Sequence, residues 1–129
     1  MDIGKAYPVE AGIASWQRTV KMGKVGVVVS DVYAMNKPME SLVQSFMTVC
    51  RAEVSGRGRV VFVTNAGERV WLDYDGAAWD ATVEKVEYAN PEDEGVRLHW
   101  DGRTVYRVLL KAVKLGAKGE LKYTIRAAE

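Results

Sequence analysis

From Gly56 onward the apolar residues recur at every second position, the period of a β-strand with one face buried. RVVFVT (59 to 64) passes through Asn65-Ala66-Gly67-Glu68 into RVWLDY, and Asp75-Gly76 leads on into AAWDATVEKVEY. Asp-Gly between alternating apolar runs is a strong hairpin signal, because both central positions of the favoured turn need positive φ. A two-residue turn there sets Leu72 opposite Trp79 and Val70 opposite Ala81, so one face is apolar throughout. Between Val83 and Val86 the alternation slips by one, which suggests a bulge.

The pattern then repeats. VWLDYDGAAWDATVEKV (70 to 86) aligns without gaps on VRLHWDGRTVYRVLLKA (96 to 112), with Val70/Val96, Leu72/Leu98, Asp75/Asp101, Gly76/Gly102 and Lys85/Lys111 in common. Two consecutive hairpins joined by the acidic turn Asn90 to Gly95 account for this without a duplication. In the second hairpin a two-residue turn sets Trp100 opposite Arg103. A three-residue turn pairs Leu98 with Tyr106 and Val96 with Val108, and its apolar face is the better one. LKYTIRA, with Leu121, Tyr123 and Ile125 alternating with polar residues, reads as a half-buried last strand.

The first half has a different rhythm. Val9, Ile13, Trp16 and Val20 form one helical stripe, with Pro8 in the first turn and Gly23 at the stop, which predicts a helix over 8–22. KVGVVVSDV (24 to 32) predicts a strand buried on both faces. Pro38, then Met39, Leu42, Val43, Phe46, Val49 and Cys50, predict a second helix over 38–52. The expected fold is therefore α+β: two helices packed on an antiparallel β-meander or a partly closed SH3-like barrel. A single domain over 1–129 is expected, with a helical and first-strand part at about 8–52 and the meander at about 58–127.

At 129 residues such a chain can bury roughly two thirds of its unfolded surface without staples. Its 48% hydrophobic and 27% charged residues are those of a folded protein. No apolar run approaches the ~20 residues of a membrane span, and MDIGKAYPVE lacks a signal-peptide layout, so an intracellular, cytoplasmic setting is expected. One cysteine, Cys50, and one histidine, His99, make a zinc site or an internal disulfide unattainable, and no cofactor or metal is expected. Residues 68 to 101 carry ten acids against Arg69, Lys85 and Arg97, a balance of −7, whereas residues 102 to 129 carry seven cations against Glu120 and Glu129, a balance of +5. Neighbouring strands that pair across a sheet explain this asymmetry most simply.

No catalytic group emerges. Asp73, Asp75 and Asp80 cluster at the first turn, where an Asp ordinarily bonds its own backbone. The aromatics say more. Trp71 alternates onto the polar side with Arg69 and Asp73, so either a second layer covers it or it is exposed at an interface. A non-enzymatic protein-interaction or scaffold module is expected, with Trp71, Trp79, Trp100, Arg97 and His99 as contact residues for another protein or for a second copy of the chain. The alternative is nucleic-acid binding through Arg103, Arg107, Lys111 and Lys122.

A resemblance points the same way. In residues 78 to 103, AWDATVEKVEYANPEDEGVRLHWDGR, the positions Trp79, Ala81, Val83, Val96, His99, Trp100 and Gly102 resemble the central strands of chromo-barrel and Tudor-knot modules, over about a fifth of the chain. The resemblance implies an SH3-like barrel that reads a peptide, often through an aromatic cage. After Gly102 the family usually offers an acidic and aromatic pair, and this chain has RTVYRVLLK.

Overall fold

The computed structural model describes residues 1–128. Among them are nine strands: β1 Ile13–Met22, β2 Val27–Met35, β3 Val43–Thr48, β4 Arg51–Val54, β5 Arg59–Val63, β6 Arg69–Tyr74, β7 Trp79–Lys85, β8 Tyr106–Ala112 and β9 Lys118–Ala127. A single short helix, α1, spans Glu94–His99. The strands form two antiparallel sheets, one in the order β1-β2-β9-β6-β5-β4 and one in the order β3-β8-β7. Their facing sides supply one core: Val29, Val60, Leu72 and Leu121 from the wide sheet meet Trp79, Val108 and Leu110 from the narrow one. Phe46 of β3 meets Tyr123 of β9 edge-on across the gap, ring centroids 5.1 Å apart. No helix among the described residues is long and apolar enough to cross a membrane.

The two helices expected on a meander or partly closed barrel do not form. Residues 13 to 22 are β1, and the stripe that predicted a helix fails at both ends, Val9 being 92% and Val20 53% exposed. Trp16 is buried because its cross-strand partner on β2 is Tyr33, with which it stacks at 5.0 Å. Tyr33 in turn lies across Gly119 of β9, where a Cβ would collide with the tyrosine hydroxyl. The second expected helix is β3 and β4, whose side chains alternate rather than spiral, and the two strands belong to different sheets. Only Val49 and Cys50 separate them, so the chain changes sheets there within two residues. Nor is the β part a separate meander, since β9 inserts between β2 and β6 and ties the two halves of the chain together. β2 is paired on both edges but buried on one face only: Val29, Asp31 and Tyr33 point inward.

Both Asp-Gly turns serve other ends than hairpins. Asp75-Gly76 carries the chain from β6 in one sheet to β7 in the other, so Leu72 and Trp79 reach the core from opposite layers rather than as strand partners. The Asp75 carboxylate accepts the Ala77 N–H at 2.9 Å and its carbonyl accepts the Trp79 N–H at 3.0 Å. At Asp101-Gly102 both residues do take positive φ, 53° and 64°, but they terminate α1: the Gly102 N–H bonds the Arg97 carbonyl at 2.9 Å. Residues 94 to 99 are helical because the preceding turn is closed by Asp93, whose carboxylate accepts the Asn90 N–H at 3.0 Å. No hairpin register therefore exists for Val96 to Trp100, and β7 pairs with β8 without the expected bulge. The turn at Asn65 to Glu68, by contrast, joins β5 to β6 as a true hairpin.

Asp31, on the inner face of β2, is fully buried, and Arg18, directly across on β1, meets it with two bonds at 2.7 and 2.5 Å. That contact holds the Arg18 guanidinium above its usual pKa, against the opposing effect of burial. Removing one partner strands the other charge in a low dielectric. Arg18→Ala or Asp31→Ala is expected to cost about 3–5 kcal/mol in urea unfolding, whereas the joint replacement Arg18→Met with Asp31→Leu is expected to be near neutral. Equal losses in the single and joint variants would show that shape, not charge pairing, matters here.

Candidate interaction surfaces

The residues expected to form one contact surface are dispersed. Trp79 is a core residue, 3% exposed. Arg97, His99 and Trp100 do lie together on α1 and its end: Arg97 is paired with Glu94 at 2.5 Å, which raises the guanidinium pKa, and His99 stands edge-on to half-buried Trp100 at 6.0 Å. Trp71 is on the outer face of the wide sheet, in register between Val61 and Arg126. Among the residues that carry the family resemblance, Trp79, Ala81 and Val83 are on β7, and Val96, His99, Trp100 and Gly102 are on α1 and the turn that ends it.

The four basic residues also occupy separate places. Arg107 and Lys111 line the outer face of the narrow sheet, Arg107 paired with Glu84 at 2.5 Å and Lys111 opposite Asp80. Lys122 is on the outer face of the other sheet, and Arg103 borders a shallow depression beside Arg51 and Tyr106. The acidic and basic halves of the sequence are thus partly reconciled as cross-strand pairs: β7 with β8, and Asp73 of β6 with Arg126 of β9 at 3.1 Å. The three aspartates do not converge. Asp73 faces arginines, Asp75 holds a turn and Asp80 faces Lys111, and no group of metal-ligating side chains is found among the described residues.

Trp71 has neither a helix over it nor a bare ring. The guanidinium carbons of Arg59 and Arg126 lie 3.8 and 4.6 Å from its ring centroid. Asp73 holds both arginines, accepting from Arg59 at 2.5 and 3.1 Å and from Arg126 at 3.1 Å. The alternation of β6 places Trp71 and Asp73 on one face, but Arg59 and Arg126 are brought in only by the pairing of β5 and β9 with that strand.

A second surface follows from the unequal widths of the sheets. Strands spaced by about 4.8 Å make the narrow sheet about 14 Å wide and the wide one about 29 Å, so part of the wide sheet's inner face stays uncovered. The uncovered part is at β1, and a cleft of about 700 Å³ opens there. Trp16 and Arg18 line its floor, Ile3 and Tyr7 of the N-terminal segment one side, and Val43 and Gln44 of β3 the other. The Trp16 Nε1–H is buried without a hydrogen-bond partner among the described residues. Beside the cleft runs a strand edge. The Ala112 N–H bonds the Leu42 carbonyl at 3.0 Å, so in antiparallel geometry Gln44, Phe46 and Thr48 turn their backbone groups toward β8. Val43, Ser45 and Met47 turn theirs away, toward the free edge.

Other strand edges of the molecule are guarded. β1 is bridged by the N-terminal segment, with the Ile3 N–H bonding the Trp16 carbonyl at 2.9 Å and the Arg18 N–H the Met1 carbonyl at 2.8 Å. β4 has four residues, two of them charged, and β7 carries Asp80, Glu84 and Lys85. From Val43 to Cys50 there is no charge, no proline and no glycine. That neutral run was visible in the sequence, but a helical reading hid its meaning. No family model matches the chain, and no curated protein matches it.

Contact with its two arginines holds the Asp73 carboxyl below the usual carboxylate range, despite partial burial. A carboxyl that titrates lower in the folded protein than its unfolded value of about 3.9 stabilises the fold fully above that pH, and the contribution disappears as pH falls through the folded value. Asp73→Asn should therefore lower the melting temperature at neutral pH, with the gap to wild type closing below about pH 4. A gap that persists unchanged in acid would exclude the charge as its origin.

Proposed function

We propose that the protein is a non-enzymatic binding module that takes up an extended segment of a protein partner along the free edge of β3. One observation carries this reading: the neutral, unguarded edge of β3 stands beside an open cleft over the inner face of β1. Outward backbone groups of Val43, Ser45 and Met47 ask for a strand, and each main-chain bond it forms contributes about 0.5–1.5 kcal/mol net. The cleft is mixed, with Ile13, Trp16, Met39 and Leu42 beside Lys37 and Glu40 and with the Arg18 charge already balanced by Asp31, so an incoming strand that alternates apolar and polar side chains fits it. The reading includes an intracellular setting, in which Cys50 stays a thiol.

Ser45→Pro removes an outward N–H without touching the pairing of β3 with β8. Peptides selected from a displayed random library on the wild type are expected to alternate apolar and polar residues and to bind Ser45→Pro about tenfold more weakly, at unchanged melting temperature. Selected peptides that bind the variant equally well would rule out strand addition at this edge.

A further inference from the structure

The outer face of the wide sheet is a different surface, covered by no second layer. On β5, β6 and β9 its outward positions include Arg59, Arg69, Lys118, Lys122 and Arg126 against Asp73 and Glu120. Five cations less two acids give +3, while the whole chain carries only +1, so the rest of the molecule is negative by two. Charge is therefore sorted by face as well as along the chain. At the middle of this basic face sits Trp71, with half-buried Val61 beside it on β5.

We infer that this face binds single-stranded nucleic acid. The cationic face attracts phosphates, and the Trp71 cluster supplies what charge alone does not: flat groups on which an unstacked base can lie. Arg59 and Arg126 are fixed over the indole by Asp73, so their planes are already oriented before any ligand arrives. Exposed Arg69 stands two residues from Trp71 on β6, and exposed Lys122 and Lys118 follow Arg126 along β9 at about 14 and 27 Å, so together they answer the backbone of a chain laid along β9. An acidic peptide would use the charges and leave the flat guanidinium layer stacked on Trp71 without a role. A duplex, whose bases are stacked on one another, offers nothing to lie on it. The inference is independent of strand addition at β3, which uses the opposite side of the wide sheet.

Fluorescence anisotropy with labelled oligo(dT) and oligo(rU), in parallel with poly-glutamate as competitor, tests it. Binding is expected to weaken with salt at a log–log slope of about −2, from three exposed cations at about 0.7 each. Arg69→Glu with Lys122→Glu is expected to abolish it. Arg69→Gln with Lys122→Gln, a milder change in case the reversal perturbs the fold, is expected to weaken it, as is Trp71→Phe, while Ser45→Pro leaves it intact. No binding at low salt overturns the inference. So does binding that both pairs of charge variants retain, and so does displacement by poly-glutamate at equal charge, which would assign the face to an acidic protein instead.

Discussion

The contact between two sheets of unequal width, centred on Leu72, Leu110 and Leu121, sets the terms for the rest of the molecule. Three strands can be packed tightly over the middle of a six-stranded sheet, where Val60, Leu72, Val108 and Leu110 are shut away from water. They cannot reach β1. The molecule covers the remainder of that inner face with what it has: the Trp16–Tyr33 stack, the Arg18–Asp31 pair and the N-terminal turns. A charged pair in that position is intelligible, because Arg18 lies at the boundary where the second sheet stops and still has partial access to solvent, 23% of its side chain. The same boundary produces both the cleft and the free edge of β3.

The outer face follows a different logic. There the charges are not a byproduct of exposure but are organised around Trp71, with one carboxylate orienting two guanidinium groups over the ring. Such a cluster stabilises β5, β6 and β9 as neighbours and at the same time keeps the arginines from wandering. Its interest is that the β5–β6 hairpin must be joined by β9, whose Arg126 is 53 residues from Asp73, before the cluster exists. The two proposed surfaces therefore differ in origin: the β3 edge arises from what the fold leaves unfilled, and the Trp71 face from what the fold brings together.

How far the sequence spoke depended on whether a signal was local. Strands β5, β6, β7 and β9 were legible from period-two alternation, and Trp71 was correctly placed on the polar side of its strand. The N-terminal half carries an ambiguous signal for a definite reason. Pairs such as Trp16/Val20 and Leu42/Phe46 are spaced by four, and four is compatible with one face of a helix and also with one face of a strand. The deciding information was the partner: Tyr33 for Trp16, and β8 for β3. The contact residues were legible only singly: alternation puts Trp79 on the apolar face with Leu72 and Trp71 on the polar one, but only the packing of one sheet on the other shuts Trp79 into the core and away from any partner.

What the sequence by itself determined was local conformation where one backbone state was much the cheapest: alternating β-branched strands and a turn at Asn65 to Glu68. Tertiary structure alone decided what each turn connects. Asp75-Gly76 passes the chain between sheets and Asp101-Gly102 closes a helix, although the two dipeptides are identical. Even their torsion angles differ, since Asp101 and Gly102 take positive φ and Asp75 and Gly76 do not. Whether the strands on either side pair with each other depends on which burial of Leu72, Trp79 and their neighbours excludes the most water, and that is a property of the whole chain.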